Sequence, residues 1–146
     1  MINNRRKILR FTSLIIWMAF IFYMSNQNGK ISTGQSNFFV DILRSAGIDI
    51  SDSIKEIITL IIRKGAHFSE YLILYILFYR TIIMYVNVSK TKYLAVLLVF
   101  LYACTDELHQ FFIPGRTAAF KDVIIDTSGG CVGFIILSII NKYHCR

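Results

Sequence analysis

The sequence predicts an all-α integral membrane bundle of about four transmembrane helices, with short interfacial helices between the first and second spans. Three observations predict it. Of 146 residues, 55% are hydrophobic and only 17% are charged, and mean hydropathy is +0.54. Apolar runs close to the length of a bilayer crossing recur along the chain. Lys and Arg gather at alternate ends of those runs, as topology requires.

The elements are justified in chain order, within one membrane domain covering 1–146. Arg5, Arg6, Lys7 and Arg10 precede or open an apolar run over about 8–24. A charged segment before an apolar one resembles a signal peptide, but the run is long and Ser25-Asn26-Gln27-Asn28 follows it instead of a small-residue cleavage site. The expectation is an uncleaved first span. A polar stretch follows, then an interfacial segment over about 36–62. Phe38, Phe39, Ile42 and Leu43 recur at helical spacing, as do Ile54, Ile57, Ile58 and Ile61. Each piece is too short to cross, so each is expected in the interface or folded onto the bundle. Ser51 or Ser53 is the expected N-cap of the second, with Glu56 at capping-box distance from Ser53. Further spans are expected at about 65–86, 93–113 and 121–140. Each covers roughly 30 Å at 1.5 Å per residue. Pro114-Gly115 breaks the chain between the last two.

The net charge is +7. No basic helix or RNP-like aromatic motif accompanies it, so no nucleic acid is expected, and the charge serves topology and lipid contact. The three cysteines are odd in number and lack CxxC spacing, which excludes a disulfide framework. Cys104 and Cys131 are expected as free, buried thiols, and Trp17 and the other aromatics as lipid-facing or packing residues.

The positive-inside rule places both termini in the cytoplasm, with Arg5, Arg6, Lys7, Arg10, Arg80, Lys90, Lys92, Lys142 and Arg146 on or near the inner side. Every acid then falls on the outer side: Asp41, Asp49, Asp52, Glu56, Glu70, Asp106, Glu107, Asp122 and Asp126. His67 and His109 join them, while His144 lies inside. Three helices thus bring ionisable groups to within roughly 10 Å of one boundary. Charges in hydrocarbon cost several kcal/mol unless paired or hydrated, so a shared wet pocket is expected.

Three motifs carry the chemistry. In RKGAHFSEY (63–71), His67 and Glu70 share a helix face as an acid–base pair or two metal ligands, against a plainer role anchoring the helix. Arg63 and Lys64 read first as headgroup anchors. In DELHQFFIPGR (106–116), Asp106, His109 and Gln110 share a face and Glu107 points away. One of two adjacent carboxylates can hold a proton and act as an acid; the alternative is a salt-bridge network with Arg116 and Lys121. In KDVIIDTSGGCVG (121–133), Asp122 and Asp126 lie one turn apart, and Gly129 to Gly133 is a GxxxG that predicts close helix packing. His67, Glu70, Asp106, His109 and Asp126 are ligand types, but no metal-binding signature such as HExxH occurs, and neither metal nor cofactor is expected.

With MSNQNGKIS after the first span, these motifs make the chain resemble the VanZ-like family, small membrane proteins named after a teicoplanin-resistance protein. The resemblance covers nearly the whole chain. Thr127 stands where the family pattern commonly has Asn. The resemblance implies a bacterial membrane protein of the glycopeptide-resistance type. It also implies that Ser25, Gln27, Lys64, His67, Glu70, Asp106, Glu107, Gln110, Arg116, Asp122 and Asp126 belong to a shared polar pattern. His67, Glu70, Asp106, Glu107 and Asp126 are the acid–base candidates. Lys64, Gln110, Arg116, Asp122, Ser25 and Gln27 are the ligand-binding ones. The expected partner is membrane lipid, with a polyprenyl-phosphate-linked envelope precursor as the specific ligand. A non-enzymatic module that binds a headgroup or braces a membrane protein is the rival. Charges at one face rather than the midplane argue against a transporter.

Overall fold

The computed structural model describes residues 4–47, 50–116 and 119–144; Asp49, Cys145 and Arg146 lie outside these, as do the side chains of Asp52, Ser53 and His144. The described residues form five helices and no strand: α1 (Asn4–Ser25), α2 (Gly29–Ser45), α3 (Asp52–Ile82), α4 (Val88–Gln110) and α5 (Phe120–His144). Three of these, α1, α4 and α5, are long and apolar enough to cross a membrane, consistent with a membrane protein. The expected fourth span has the length but not the apolarity.

That difference comes from α3. The interfacial piece and the span expected from residue 65 are one helix of 31 residues, about 46 Å long and so longer than a hydrocarbon core. Gly65 does not break it, because a lone glycine costs a helix only about 1 kcal/mol. Ser51 occupies the N-cap position but makes no side-chain cap bond. A second difference concerns the polar stretch after α1, which is helical from Gly29. Asn28 caps it by accepting from the Ile31 N–H at 3.0 Å. Thr33 and Ser36 turn their hydroxyls back onto the carbonyls of Gly29 and Ser32, so the polar side chains are satisfied within the helix.

α3 is the hub. It packs most extensively on α5 and touches α1, α2 and α4 as well. Tyr71, Leu74, Tyr75, Phe78 and Tyr79 supply its buried stripe; Ala95, Val99 and Ala103 face it from α4, and Leu14 and Ile21 from α1. Small residues inside let the helices approach closely. An added Cβ on Gly130 would stand 2.8 Å from the Val99 side chain, and one on Gly133 2.6 Å from the Tyr75 ring. On α1, α4 and α5 many large apolar side chains point outward, among them Ile15 and Phe22, Leu97 and Leu101, and Ile135 and Ile139. Cys104 is half-buried and Cys131 is exposed on α5, so the expectation of a buried thiol fails for Cys131; both are free.

α1 and α2 run in the same direction along α3, as the Arg10–Arg80, Trp17–Glu70 and Asn37–Thr59 bonds show. Asp106, Asp122 and Asp126 gather at the end of the bundle away from Arg10 and Arg80. At one end the Arg10 guanidinium donates to the Arg80 carbonyl at 2.7 Å, Lys7 lies over the Tyr85 ring and Asn141 donates to the Tyr79 hydroxyl. At the other end α1 finishes against the 111–116 turn, where the Gly29 N–H donates to the Pro114 carbonyl. Gly115 has φ +76° there, a left-handed conformation that favours glycine.

Candidate functional site

The acidic end brings residues of α1, α3, α4, α5 and the 111–116 turn together. Arg116 is its organiser. Its guanidinium donates to the carbonyls of Gln27 (3.0 Å) and Met24 (3.1 Å) at the end of α1 and to Gln110 Oε1 at 3.0 Å. Gln110 in turn donates from Nε2 to Asp106 Oδ2 at 3.1 Å. One planar fork thus satisfies helix-terminal carbonyls that have no intrahelical partner and locks the carboxamide that holds Asp106. Arg116 lies in the turn, and burial and the neighbouring Arg63 lower its pKa, while Asp106, Glu107 and Glu70 act in the opposite sense.

Asp106 and Asp126 are 4% and 1% exposed. His67 Nδ1 faces Asp126 Oδ1 at 3.6 Å, beyond hydrogen-bond reach. His67, Asp106 and Asp126 each present a ligand-type atom, all within 4.8 Å of one another. The hydroxyls of Ser25 and Tyr71 flank Asp106. His67 also lines a cavity of about 130 Å³ together with Arg63, Glu70 and Arg116.

Of the residues expected to share a wet pocket, His67, Glu70 and Arg116 line the cavity, whereas Asp106, Gln110, Asp126 and Ser25 are buried beside it. Other residues are placed differently. Lys64 forms an ion pair with Asp122 and so braces α3 to α5. Glu107 accepts from the Ala119 N–H, fastening the turn before α5 rather than pairing with Arg116 or Lys121. Gln27 contributes its carbonyl to Arg116, and its buried side-chain oxygen has no hydrogen-bond partner. His109 turns away from Asp106, 3.2 Å from Asn26 Oδ1 and stacked on Phe22, so it joins α1 and not the cluster.

Two positions were missed. Tyr71 is fully buried beside Asp106; it stands four residues after His67, and that same-face spacing could have found it. Trp17 is more than a packing residue, because its indole N–H donates to the Glu70 carbonyl at 3.0 Å. No spacing rule links positions so far apart.

The VanZ/LLP1 family model matches residues 11–141. The chain belongs to this family. No curated protein and no solved structure shows a significant match. The VanZ/LLP1 match spans every helix that contributes to the acidic end, from the α1 terminus to the α5 glycines.

Proposed function

We propose that this VanZ/LLP1 protein binds or acts on an anionic headgroup of an outer-leaflet cell-envelope component, a polyprenyl-phosphate-linked precursor, and thereby lowers sensitivity to glycopeptides such as teicoplanin. The observation that carries the reading is the cavity beside the buried cluster. Arg63 and Arg116 offer charge-assisted donors to a phosphate, His67 and Glu70 offer proton-transfer groups, and Met24, Phe39 and Ile62 give it an apolar side. The position of Lys7, Arg10 and Arg80 at the end opposite the acidic cluster supports both termini in the cytoplasm, with the residue 65–82 part of α3 crossing as a fourth span inside the other three. The site then faces outward.

Two experiments test this. Deletion and overexpression are expected to shift teicoplanin susceptibility in opposite directions; no shift in either overturns the reading. Purified protein with polyprenyl-phosphate lipid in detergent is expected to convert it, with conversion lost in Glu70→Gln and Asp106→Asn. The Lys64–Asp122 and Arg116–Gln110 pairs, satisfied within the chain, favour a second reading as a binding module. Saturable binding with unchanged lipid selects that one.

A further inference from the structure

We infer that His67, Asp106 and Asp126 form the protein side of a divalent-cation site, of the Zn2+ or Mn2+ class, between α3, α4 and α5. The inference rests on those side chains and is independent of any lipid substrate.

Four lone-pair atoms are buried there without a partner: both carboxylate oxygens of Asp126, Oδ1 of Asp106 and Nδ1 of His67. Buried polar atoms are almost always satisfied, so orphans gathered at one point need an explanation. They come from three helices, and one atom from each residue lies within 4.8 Å of the others. The Ser25 and Tyr71 hydroxyls adjoin the same place as donors beside Asp106, which leaves the two Asp126 oxygens and His67 Nδ1 as the atoms most in need of a partner.

The central distance fits an ion better than a hydrogen bond. His67 Nδ1 and Asp126 Oδ1 are 3.6 Å apart, the spacing of two ligands at about 2.1 Å from one metal, subtending roughly 115°. The other ligand atoms lie up to 4.8 Å apart and must close by about 1 Å to reach the roughly 3.4 Å between tetrahedral ligands, a movement that side-chain torsions must supply. Charge also balances. Two carboxylates and a neutral imidazole around a divalent ion sum to zero, which removes the penalty of burying unpaired carboxylates among apolar helices. One nitrogen and several oxygens suit Zn2+ or Mn2+; an imidazole is a poor choice for Ca2+ or Mg2+, which prefer all-oxygen shells.

The consequence is that the negative charge of two carboxylates, one side chain away from the cavity, is neutralised. His67 belongs both to this cluster and to the wall shared with Arg63, Glu70 and Arg116. With an ion on its Nδ1, those carboxylates no longer oppose the positive field that an anion in the cavity meets.

The test uses full-length protein in detergent, stripped with chelator, reloaded with Zn2+ or Mn2+ and desalted, with ion content read by mass spectrometry. One ion per chain is expected. Asp126→Asn and His67→Gln are each expected to weaken binding by at least about tenfold, and Glu56→Gln, on an exposed surface, to leave it unchanged. Mn2+-loaded protein is expected to show nitrogen coupling by pulsed electron paramagnetic resonance, lost in His67→Gln. Wild-type protein that retains no ion overturns the site, as does binding unchanged in both variants. If a variant fails to fold, wild-type ion content and nitrogen coupling still decide. An ion bound without any teicoplanin effect overturns only the functional reading; a teicoplanin effect without an ion overturns only this one.

Discussion

Gly129→Ala tests how the packing of α3 on α5 sets the site. A Cβ at Gly129 would overlap the Phe68 carbonyl oxygen and stand 3.1 Å from its carbon and 3.2 Å from the Leu72 nitrogen. All three are backbone atoms, so no side chain can swing aside and the helices must separate by about 1 Å to restore ordinary contact. Overpacking of this kind costs about 1–3 kcal/mol, and a backbone obstacle belongs at the upper end. Alanine returns about 1 kcal/mol of helix propensity, leaving a net loss of about 1–2 kcal/mol. The same opening reaches the cluster, because His67 adjoins Phe68 and Asp126 lies one turn before Gly129. The 3.6 Å gap between them would widen, and a cluster whose ligand atoms already lie up to 4.8 Å apart would have further to close around an ion at about 2.1 Å from each. Thermal unfolding in detergent, with and without Zn2+, reads both effects: the variant is expected to melt lower and to lose stabilisation by the ion. Gly34→Ala is the control, since nothing lies within 4 Å of its added Cβ, and it is expected to be neutral or up to about 1 kcal/mol more stable. A Gly129→Ala protein that melts like Gly34→Ala would refute the reasoning.

Arg116→Ala removes three charge-assisted donations to Met24, Gln27 and Gln110 and is expected to cost about 2–4 kcal/mol by denaturant unfolding; Arg116→Lys recovers less than half, because an ammonium cannot reproduce the fork. Tyr102→Phe deletes the 2.7 Å bond to the Met18 carbonyl between α4 and α1, with an expected loss of about 1 kcal/mol in the same assay. A double-mutant cycle on Lys64→Met and Asp122→Leu is expected to give a coupling near about 1 kcal/mol, the upper end for exposed pairs, because the two side chains are 26% and 18% exposed. A coupling of zero would mean that the pair does not brace α3 against α5.

Much of this was legible in the chain because it depends on local periodicity. Apolar runs mark α1, α4 and α5 directly, and the alternation of charge along them places Glu70, Asp106 and Asp126 at one end of an antiparallel bundle. The GxxxG from Gly129 to Gly133 announces close packing, and the structure finds it against Phe68 and Tyr75. Illegible were features decided by which helices are neighbours. Helical spacing puts His109 near the face of Asp106, but the nearby end of α1 claims it through Asn26 and Phe22. Glu107 reads as half of an acid pair, whereas the returning loop supplies Ala119 as its partner. The break expected between residues 62 and 65 reflects a fall in hydropathy, which reports on surroundings and says little about whether backbone hydrogen bonds continue.

Position explains why α3, alone of the helices expected to cross, lacks the apolarity of a span. A helix exposed to lipid needs large apolar side chains around much of its surface, as α1 has. α3 is touched by every other helix, so its partners meet much of its surface. Those partners can answer polar groups: Lys64 finds Asp122, His67 faces Asp126, and the Glu70 carbonyl accepts from Trp17. A polar residue costs far less in that position than in contact with lipid, because its alternatives are helix neighbours with hydrogen-bonding groups. The low hydropathy of α3 and the concentration of chemistry on it thus have one origin. In a bundle this small, the helix touched by all the others can carry a half-buried histidine and glutamate facing the buried acids of α4 and α5, and the small residues of α5 and α4 are what let it approach them so closely.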